Sequence, residues 1–209
     1  SPIVGGPSEA LGILAGDKIL KINDTSAIGI KREDVPKKLR GPKGTKVKVS
    51  ISRVGLKDLL EFDITRDKIP LYSVDVSYMV DVEIGYISVN RFSATTKDEF
   101  EKALNKLKEQ GLKKLVLDLR NNPGGFLDQA FKMADELLAS GKKVVYTKGR
   151  RSEFSEEYVS NGGSKFQNIP LIILINHGSA SASEIVSGAI QDWDRGLIVG
   201  ETSFGKGLV

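Results

Sequence analysis

Three serines lie close together in a segment of small residues, between an apolar run and a stretch with helical character: Ser179, Ser181 and Ser183. The apolar run, residues 171–175, has the composition of a buried strand, and residues 184–191 predict a helix. A turn between a buried strand and a helix can hold a nucleophile in the open. The amides at the start of such a helix can also stabilise negative charge.

A serine hydroxyl is a weak nucleophile until a base removes its proton, and two residues of this chain are candidates for that base. His177, the single histidine, precedes Ser181 by four residues and would have to fold back toward it. A free lysine has a pKa near ~10.4, and burial can lower it by several units. Lys206 lies beside Phe204 and Leu208, which suits a desolvated amine. Because Ser–Lys pairs are a known variant of the triad, we favour Lys206.

The same residues allow two other interpretations. In one, the serines cap a helix and Lys206 is a solvated surface cation. In the other, Gly200-Glu-Thr-Ser-Phe-Gly-Lys206 forms part of a phosphate-binding loop, because it follows a predicted strand and fits most of that motif. The motif requires Ser or Thr next, to hold Mg²⁺, whereas this chain has Gly207. Nucleotide binding is therefore disfavoured.

A second candidate segment follows another buried strand. The apolar residues 115–119 lead into Arg120-Asn-Asn-Pro-Gly-Gly125, and an amphipathic helix is predicted over residues 127–138. Paired glycines let backbone amides approach a ligand closely. Acyl transfer needs such donors where the oxyanion develops, although a tight turn with positive φ would also explain the glycines.

Strands and helices alternate around these segments. Residues 84–89 predict a strand, 95–109 a helix and 115–119 a strand, which together indicate a parallel crossover unit. Residues 144–146 predict a further strand, and the polar residues 148–167 predict an exposed loop or hairpin.

The first 70 residues form a smaller patterned unit. It is predicted to contain short strands and two helices, at residues 1–4, 7–10, 18–23, 31–39, 47–53 and 59–65. Val35 and Leu39 share one face of the second helix. The polar residues 67–70, which include a proline, predict a hinge.

Composition excludes several functional classes. The chain has no cysteine, which rules out a thiol nucleophile, disulfides and cysteine–zinc sites. Residues 1–70 carry 14 Lys/Arg against 9 Asp/Glu, but these basic residues are scattered without aromatics, which disfavours nucleic acid. No apolar run approaches the ~18 residues of a membrane span, and no signal peptide is visible. Since the chain begins and stops within motifs, we expect a fragment.

These motifs together resemble the carboxy-terminal processing proteases (tail-specific proteases), a PDZ-containing Ser/Lys peptidase family. The resemblance covers nearly the whole chain. In the second unit it rests on Asp118-Leu-Arg-Asn-Asn-Pro-Gly-Gly125, Gly178-Ser-Ala-Ser-Ala-Ser-Glu-Ile185, Gly188-Ala189, Gln191-Asp192, Arg195 and Gly200-Glu-Thr-Ser-Phe-Gly-Lys-Gly207. In the first unit it rests on Pro7, Ala10, Ala15-Gly-Asp-Lys-Ile19, Leu39-Arg40-Gly41 and Gly44-Thr45.

The resemblance implies an α/β (α+β) fold. A partial PDZ domain over residues 1–68, lacking its N-terminal strand, would precede a crotonase-like α/β serine protease core over residues 69–209, lacking its C-terminal part. The sheet of that core would be mixed and largely parallel. Family members place a glutamine four residues after the lysine, which would be position 210, so we expect the chain as given to be weakly active or inactive.

The resemblance also implies roles for individual residues. Ser181 would be the nucleophile and Lys206 its base, while the amides of Gly125 and Ala182 would form the oxyanion hole. A structural role is expected for Asp192. Arg40 is our candidate for coupling the PDZ domain to the protease.

A PDZ domain binds a C-terminal peptide as an added strand. That groove is expected between Ile3-Val4 and the helix that carries Val35 and Leu39, although plain core packing would equally explain the last two.

The sequence therefore predicts a serine endopeptidase that recognises apolar C-terminal tails through its PDZ domain and cleaves the polypeptide with a Ser–Lys pair. The alternative is a catalytically inactive, PDZ-containing peptide-binding module. We expect no cofactor, no metal and no nucleic acid. The expected partner is a protein or peptide with an apolar C-terminus, and a homo-oligomer or membrane association through segments absent here is compatible. Family resemblance alone implies an extracytoplasmic location: the cell envelope, the periplasm or the secreted fraction.

Overall fold

The computed structural model describes residues 2–3, 5–31, 33–69, 71–151, 153 and 155–208. The chain divides into two compact units, Ser1–Leu71 and Tyr72–Val209. Each unit encloses its own cluster of buried apolar side chains, so each has a core of its own.

The first unit is a four-stranded antiparallel sheet with two short helices. Its strand order is β2-β1-β3-β4. Its elements in chain order are α1 (Pro7–Ala10), β1 (Lys18–Ile22), β2 (Thr25–Ser26), α2 (Val35–Leu39), β3 (Lys46–Ser52) and β4 (Leu60–Thr65). The helix α2 is shorter than the predicted 31–39, with Pro36 in its first turn, where the missing proline N–H costs no hydrogen bond.

The strand β3 carries the core of the first unit. Its alternating apolar residues, Val47, Val49 and Ile51, are all buried. They cluster with Ile22 of β1 and Ile64 of β4. The period of two in the sequence thus places one face of β3 in the core, as predicted.

An ion pair joins the turn before β1 to the end of β3. The Arg53 guanidinium donates to both carboxylate oxygens of Asp17, at 2.8 and 2.7 Å, and to the carbonyl of Gly12 at 2.8 Å. The Asp17 side chain is only 3% exposed. The bonds from Arg53 and from the Leu14 amide lower the pKa of Asp17 to about 2.

The second unit is built on a five-stranded sheet of order β11-β10-β7-β6-β5. Neighbouring strands are parallel except for the antiparallel edge strand β5. The elements are β5 (Val74–Met79), β6 (Ile84–Val89), α3 (Thr96–Glu109), β7 (Lys114–Asp118), α4 (Leu127–Asp135), β8 (Lys143–Thr147), β9 (Glu156–Val159), β10 (Leu171–Ile175), α5 (Ala182–Asp192) and β11 (Leu197–Gly200). The mixed, largely parallel sheet is the predicted architecture.

The central strands of this sheet are buried by helices. Leu115 and Leu117 of β7 and Ile173 of β10 lie in one apolar cluster with residues from α3, α4 and α5. Continuous apolar runs are typical of parallel strands that are covered on both faces. The predicted exposed hairpin is also present, because β8 pairs antiparallel with β9.

Across the described residues, no helix combines the length and the apolar character that a membrane crossing requires.

The Asp17–Arg53 pair gives a testable pH dependence. In an Arg53→Met variant, the pKa of Asp17 should rise from about 2 toward its ordinary value of about 3.9, because the hydrogen-bonded cation is lost. The native pKa is depressed, so the pair stabilises the fold above pH ~4 and loses this effect as the pH falls through about 2. The stability gap between wild type and variant, followed by urea unfolding, should therefore close in acid.

Carboxyl NMR titration of Asp17 measures the shift directly. Lys37→Met, which removes an exposed ion pair with Asp34, is the matched control and should change stability by less than about 1 kcal/mol. An ordinary Asp17 pKa in the wild-type protein would contradict the assignment.

Candidate active site

Two loops meet at the carboxyl ends of the neighbouring parallel strands β7 and β10. The Asn176 side chain donates to Oδ1 of Asn121 at 3.0 Å, and the Asn121 amide donates to Oδ1 of Asn176 at 2.9 Å. Parallel strands present their carboxyl ends at one edge of a sheet, which is where open α/β sheets bind ligands. The two predicted functional segments therefore form one surface.

The three serines of the second loop have different environments. Ser179 and Ser183 are fully buried, and their hydroxyls donate to the carbonyls of Leu119 at 2.7 Å and Asn122 at 2.9 Å. Ser181 is half-buried and lines a cleft. The flanking hydroxyls thus hold the two loops together, which leaves the Ser181 hydroxyl as the candidate nucleophile.

The backbone of Ser181 is strained. It occupies the N-cap position of α5 with φ 55° and ψ −111°. A non-glycine residue with positive φ costs of the order of 1–3 kcal/mol and persists only where its surroundings impose it. A sharp turn from a strand into a helix is the geometry that exposes a nucleophilic serine in α/β-hydrolases.

The paired glycines lie directly against this turn. A Cβ on Gly124, whose φ is +96°, would lie 2.8 Å from the Ser181 Cβ and 2.9 Å from the Ala182 nitrogen. A Cβ on Gly125, whose φ is +147°, would overlap the carbonyl oxygen of Phe92. Both positions therefore require glycine. Within the described part of the chain, neither the Gly125 nor the Ala182 amide donates to a protein acceptor, so both can serve an oxyanion.

Glu184 joins the serine turn to the lysine loop. Its Oε2 accepts from the Ser181 amide at 2.7 Å and from the Lys206 amide at 2.9 Å. Its Oε1 accepts from the Ser203 hydroxyl at 2.8 Å and from the Gly205 amide at 2.6 Å. Burial opposes ionisation of this carboxyl group, but the four hydrogen bonds outweigh burial and lower its pKa.

Lys206 lines the same cleft as Ser181. Its side chain is exposed, and so are Phe204 and Leu208. The expectation that these apolar neighbours desolvate the amine is therefore wrong for the described structure, because all three residues lie in an extended segment that faces solvent. No hydrogen bond between the Ser181 hydroxyl and the Lys206 amine is present in the described residues.

The cleft has a volume of about 980 Å³. One wall is the face of α5 that carries Ile185 and Gly188, and another is β8 with the residues that follow it. The Trp193 indole at the end of α5 donates to the Lys143 carbonyl of β8 at 2.7 Å. This bond fixes the distance between the walls at one end.

The other proposed chemistries are not supported by the geometry. His177 is exposed and its Nδ1 lies 3.0 Å from a carboxylate oxygen of Glu201, and His177 does not line the cleft with Ser181. Residues 201–208 lie in a non-helical segment, and Gly207 stands where the phosphate-binding motif needs Ser or Thr. No group of three or more potential metal ligands occurs among the residues that the structure describes.

A buried carboxylate, Asp118, lies at the start of the loop that carries Gly124 and Gly125. Asp118, at the end of β7, accepts hydrogen bonds from the Tyr86 hydroxyl at 2.6 Å and from the Arg120 guanidinium at 2.6 Å. Burial raises its pKa, but these bonds outweigh burial and lower it. The loop therefore leaves β7 from a fixed, ionised anchor.

Sequence reasoning missed the roles of Glu184 and Asp118. A signal for Glu184 was available, because Ser181-x-x-Glu184 has the spacing of a capping box before a helix. For Asp118, the partner Arg120 is only two residues away in the sequence. The other partner, Tyr86, lies on a different strand, so no local pattern could have indicated that contact.

The predicted groove residues of the first unit have separate environments. Val35 and Leu39 pack against the core, while Ile3 is 46% exposed and Val4 lies outside the described residues. Leu39 and Arg40 also line a cavity of about 310 Å³ with mostly aliphatic walls. Arg40 is exposed, and its guanidinium has no acceptor in the portion of the chain described.

Comparison with known proteins identifies the family. A profile of peptidase family S41 matches residues 83–209, more than half of the chain, and a PDZ domain profile matches residues 1–52. A carboxyl-terminal-processing protease of Picosynechococcus sp. is 41% identical over 212 residues, covering 100% of this chain and 50% of that protein. The carboxy-terminal processing protease CtpA of Bacillus subtilis is 37% identical over 209 residues, covering 100% of this chain and 44% of the relative. The chain spans about half the length of these curated relatives.

Solved structures show the same likeness. The photosystem II D1 C-terminal processing protease matches with a TM-score of 0.58 and 31% identity, over 100% of this chain and 57% of that one. A putative S41 protease from Bacteroides fragilis shares the fold, with a TM-score of 0.65 and 19% identity over 97% of this chain and 58% of that one. The predicted family resemblance is confirmed, and because the matching profile includes both the glycine loop and the segment from Ser181 to Lys206, the chain belongs to peptidase family S41.

Proposed function

We propose that this chain is the peptide-binding and catalytic part of a serine endopeptidase that recognises apolar C-terminal tails and cleaves the polypeptides that carry them. The observation that supports this most strongly is the strained Ser181 at the head of α5, placed in one cleft with Lys206. The two amides beside it, from Gly125 and Ala182, have no other acceptor among the described residues.

In the proposed reaction, the neutral Lys206 amine removes the proton from the Ser181 hydroxyl, and the oxygen attacks the peptide carbonyl carbon. The negative charge passes to the carbonyl oxygen, which accepts hydrogen bonds from the Gly125 and Ala182 amides. The protonated lysine then gives its proton to the departing amine as the C–N bond breaks. A water molecule then gives a proton to the same lysine and attacks the acyl carbon; the bond to the Ser181 oxygen breaks, and that oxygen takes the proton back from the lysine.

Because Lys206 is exposed, the substrate itself has to shield its amine from water in this proposal. A peptide that fills the cleft removes water from around the amine, and loss of hydration favours the neutral form of a lysine. In this proposal the base is therefore activated when the substrate is bound.

The first unit is proposed to bind the substrate's C-terminal tail. Its aliphatic cavity, which Leu39 lines, supports an apolar terminal residue. The proposed groove runs between Ile3-Val4 and the helix with Val35 and Leu39. Arg40, whose guanidinium lacks an acceptor in the described structure, is proposed to couple tail binding to cleavage.

The partners and the cellular location of the protein are also part of this proposal. The substrate is a protein or peptide, as the names of the relatives indicate. The extracytoplasmic location, in the cell envelope, the periplasm or the secreted fraction, rests on the family resemblance alone. Homo-oligomerisation and membrane association are compatible with this function.

The Ser–Lys assignment is tested by substitution in the longest natural protein that contains this chain. Ser181→Ala and Lys206→Ala should each lower kcat/KM by at least ~10³-fold, because nucleophile and base act as one unit. The substrate is an unfolded protein with an apolar tail, compared with one whose tail ends in aspartates. Lys108→Ala, an exposed lysine on α3 outside the cleft, is the matched control and should cleave normally.

Two outcomes would change the proposal. Normal cleavage by Lys206→Ala would remove the lysine from the mechanism. Absence of cleavage by the wild type, with retained binding of the apolar tail, would favour the inactive peptide-binding module.

Glu184 is predicted to be a positioning residue. In Glu184→Gln, the amide can keep one acceptor oxygen, but its NH₂ group would face either the Ser181 and Lys206 amides or the Ser203 hydroxyl and the Gly205 amide, all of which donate to the native carboxylate. We expect kcat to fall by at least about tenfold with little change in KM, since the loop that carries Lys206 is released. The native pKa is lowered, so the carboxylate stabilises the fold above pH ~4.3 and the stability gap to Glu184→Gln should shrink in more acidic solution.

Circular dichroism and urea unfolding across pH 3–7 measure the stability effect, and a substrate titration separates kcat from KM. If Glu184→Gln lost stability but kept the wild-type kcat, Glu184 would only cap the helix.

A further inference from the structure

The helix α5 contains a glycine in its interior, Gly188, without a conformational reason for it. Its φ is not in the positive region, unlike those of Gly124 and Gly125. A glycine inside a helix is less favourable than alanine, because the unfolded backbone is more flexible. A reason for the glycine must therefore lie in its surroundings.

Packing does not supply that reason. A Cβ at Gly188 would meet no atom within 4 Å, whereas a Cβ at Gly85 or Gly196 would collide with neighbouring leucine atoms. The space beside Gly188 is part of the 980 Å³ cleft that also contains Ser181. A side chain at position 188 would fit without a clash but would project into the cleft, so glycine keeps the cleft wider at this point.

Aliphatic side chains lie beside this space, and Glu184 and Asp192, about one helical turn to either side of Gly188 on α5, also line the cleft. On α5, Ile185 and Ala189 line the cleft beside Gly188, and Leu127 and Val145 line it from α4 and β8. The bond from Trp193 to Lys143 holds α5 and β8 together beyond them, so contacts within the protein itself hold the walls of this space apart. It lies between one and two helical turns from the N-cap serine.

We infer that Gly188 is a specificity-determining residue: it leaves room for a bulky apolar side chain of the substrate next to the bond that Ser181 attacks. This inference rests on the proposed function, because it assigns one subsite of that same cleft. A larger residue at position 188 would fill the subsite while leaving the nucleophile, the lysine and the glycine loop in place.

The test compares peptides that carry Ala, Val, Leu or Phe on either side of the scissile bond. With the longest natural protein, Gly188→Leu should lower kcat/KM for the Leu and Phe peptides by at least about tenfold at one of the two positions. The corresponding Ala peptides should change by less than about threefold. Gly188→Ala should give a smaller effect in the same direction and raise Tm by about 1–4 °C, because alanine favours the helix.

The matched control is Gln191→Leu, which adds the same side chain to an exposed position of α5 outside the cleft. It should leave the ranking of the peptides unchanged. An equal effect of Gly188→Leu on all peptides, or no effect, would overturn the inference.

A binding experiment separates this inference from the proposed function. In a Ser181→Ala background, labelled Leu and Ala peptides are followed by fluorescence anisotropy, so no cleavage is needed. Loss of Leu-peptide binding on adding Gly188→Leu supports the subsite even if the wild-type protein proves inactive. Unchanged Leu-peptide binding overturns the subsite even if the wild-type protein cleaves.

Discussion

The candidate site depends on the hydrogen bonds between two loops that leave neighbouring parallel strands. The Asn121–Asn176 pair joins the loops at their start, and Ser179 and Ser183 attach the second loop to carbonyls of the first. Ser179 and Ser183 are buried, so loss of either hydroxyl bond would leave a buried polar group without a partner, whereas Asn121 is exposed and Asn176 half-buried. The cross-bonding therefore fixes the glycine amides relative to Ser181 more firmly than either loop could alone.

This bonding also explains how the strain at Ser181 persists. A positive φ at a serine is unfavourable by itself, and an isolated turn would relax to another conformation. Here the residues before it are tied to the first loop, and its own amide donates to Glu184. Gly124 allows the first loop to lie against the turn, since a side chain there would collide with Ser181. The strained backbone of Ser181 and the close approach of Gly124 to it thus both result from the contact between the two loops.

Local pattern was enough to predict the parts of the fold whose burial follows from their own residues. The apolar runs of β7 and β10 and the alternation of β3 gave the strands, and the small-residue turn gave the start of α5. The edge strand β5 was not predicted although residues 74–78 alternate between apolar and polar, and an irregularity between Val74 and Val76 leaves Val76 and Tyr78 exposed, so the alternation does not report the buried face. The capping-box spacing indicates the bond between Glu184 and Ser181, but the bonds from Glu184 to residues 203–206 depend on that segment returning to α5, which no local signal reports. The desolvation of Lys206 by Phe204 and Leu208 was wrongly predicted, because sequence neighbours in an extended segment need not pack against each other.

The position of Glu184 also bears on how Lys206 could act as a base. A carboxylate paired with a lysine amine stabilises the charged ammonium and so opposes proton removal from a serine. Glu184 lies next to the lysine loop, yet it accepts hydrogen bonds from the Lys206 backbone amide, and the described residues contain no ion pair to the Lys206 amine. Both carboxylate oxygens are already occupied by donors from Ser181, Ser203 and Gly205. The carboxylate thus orders the lysine loop through the backbone, and among the described residues it forms no ion pair with the Lys206 amine.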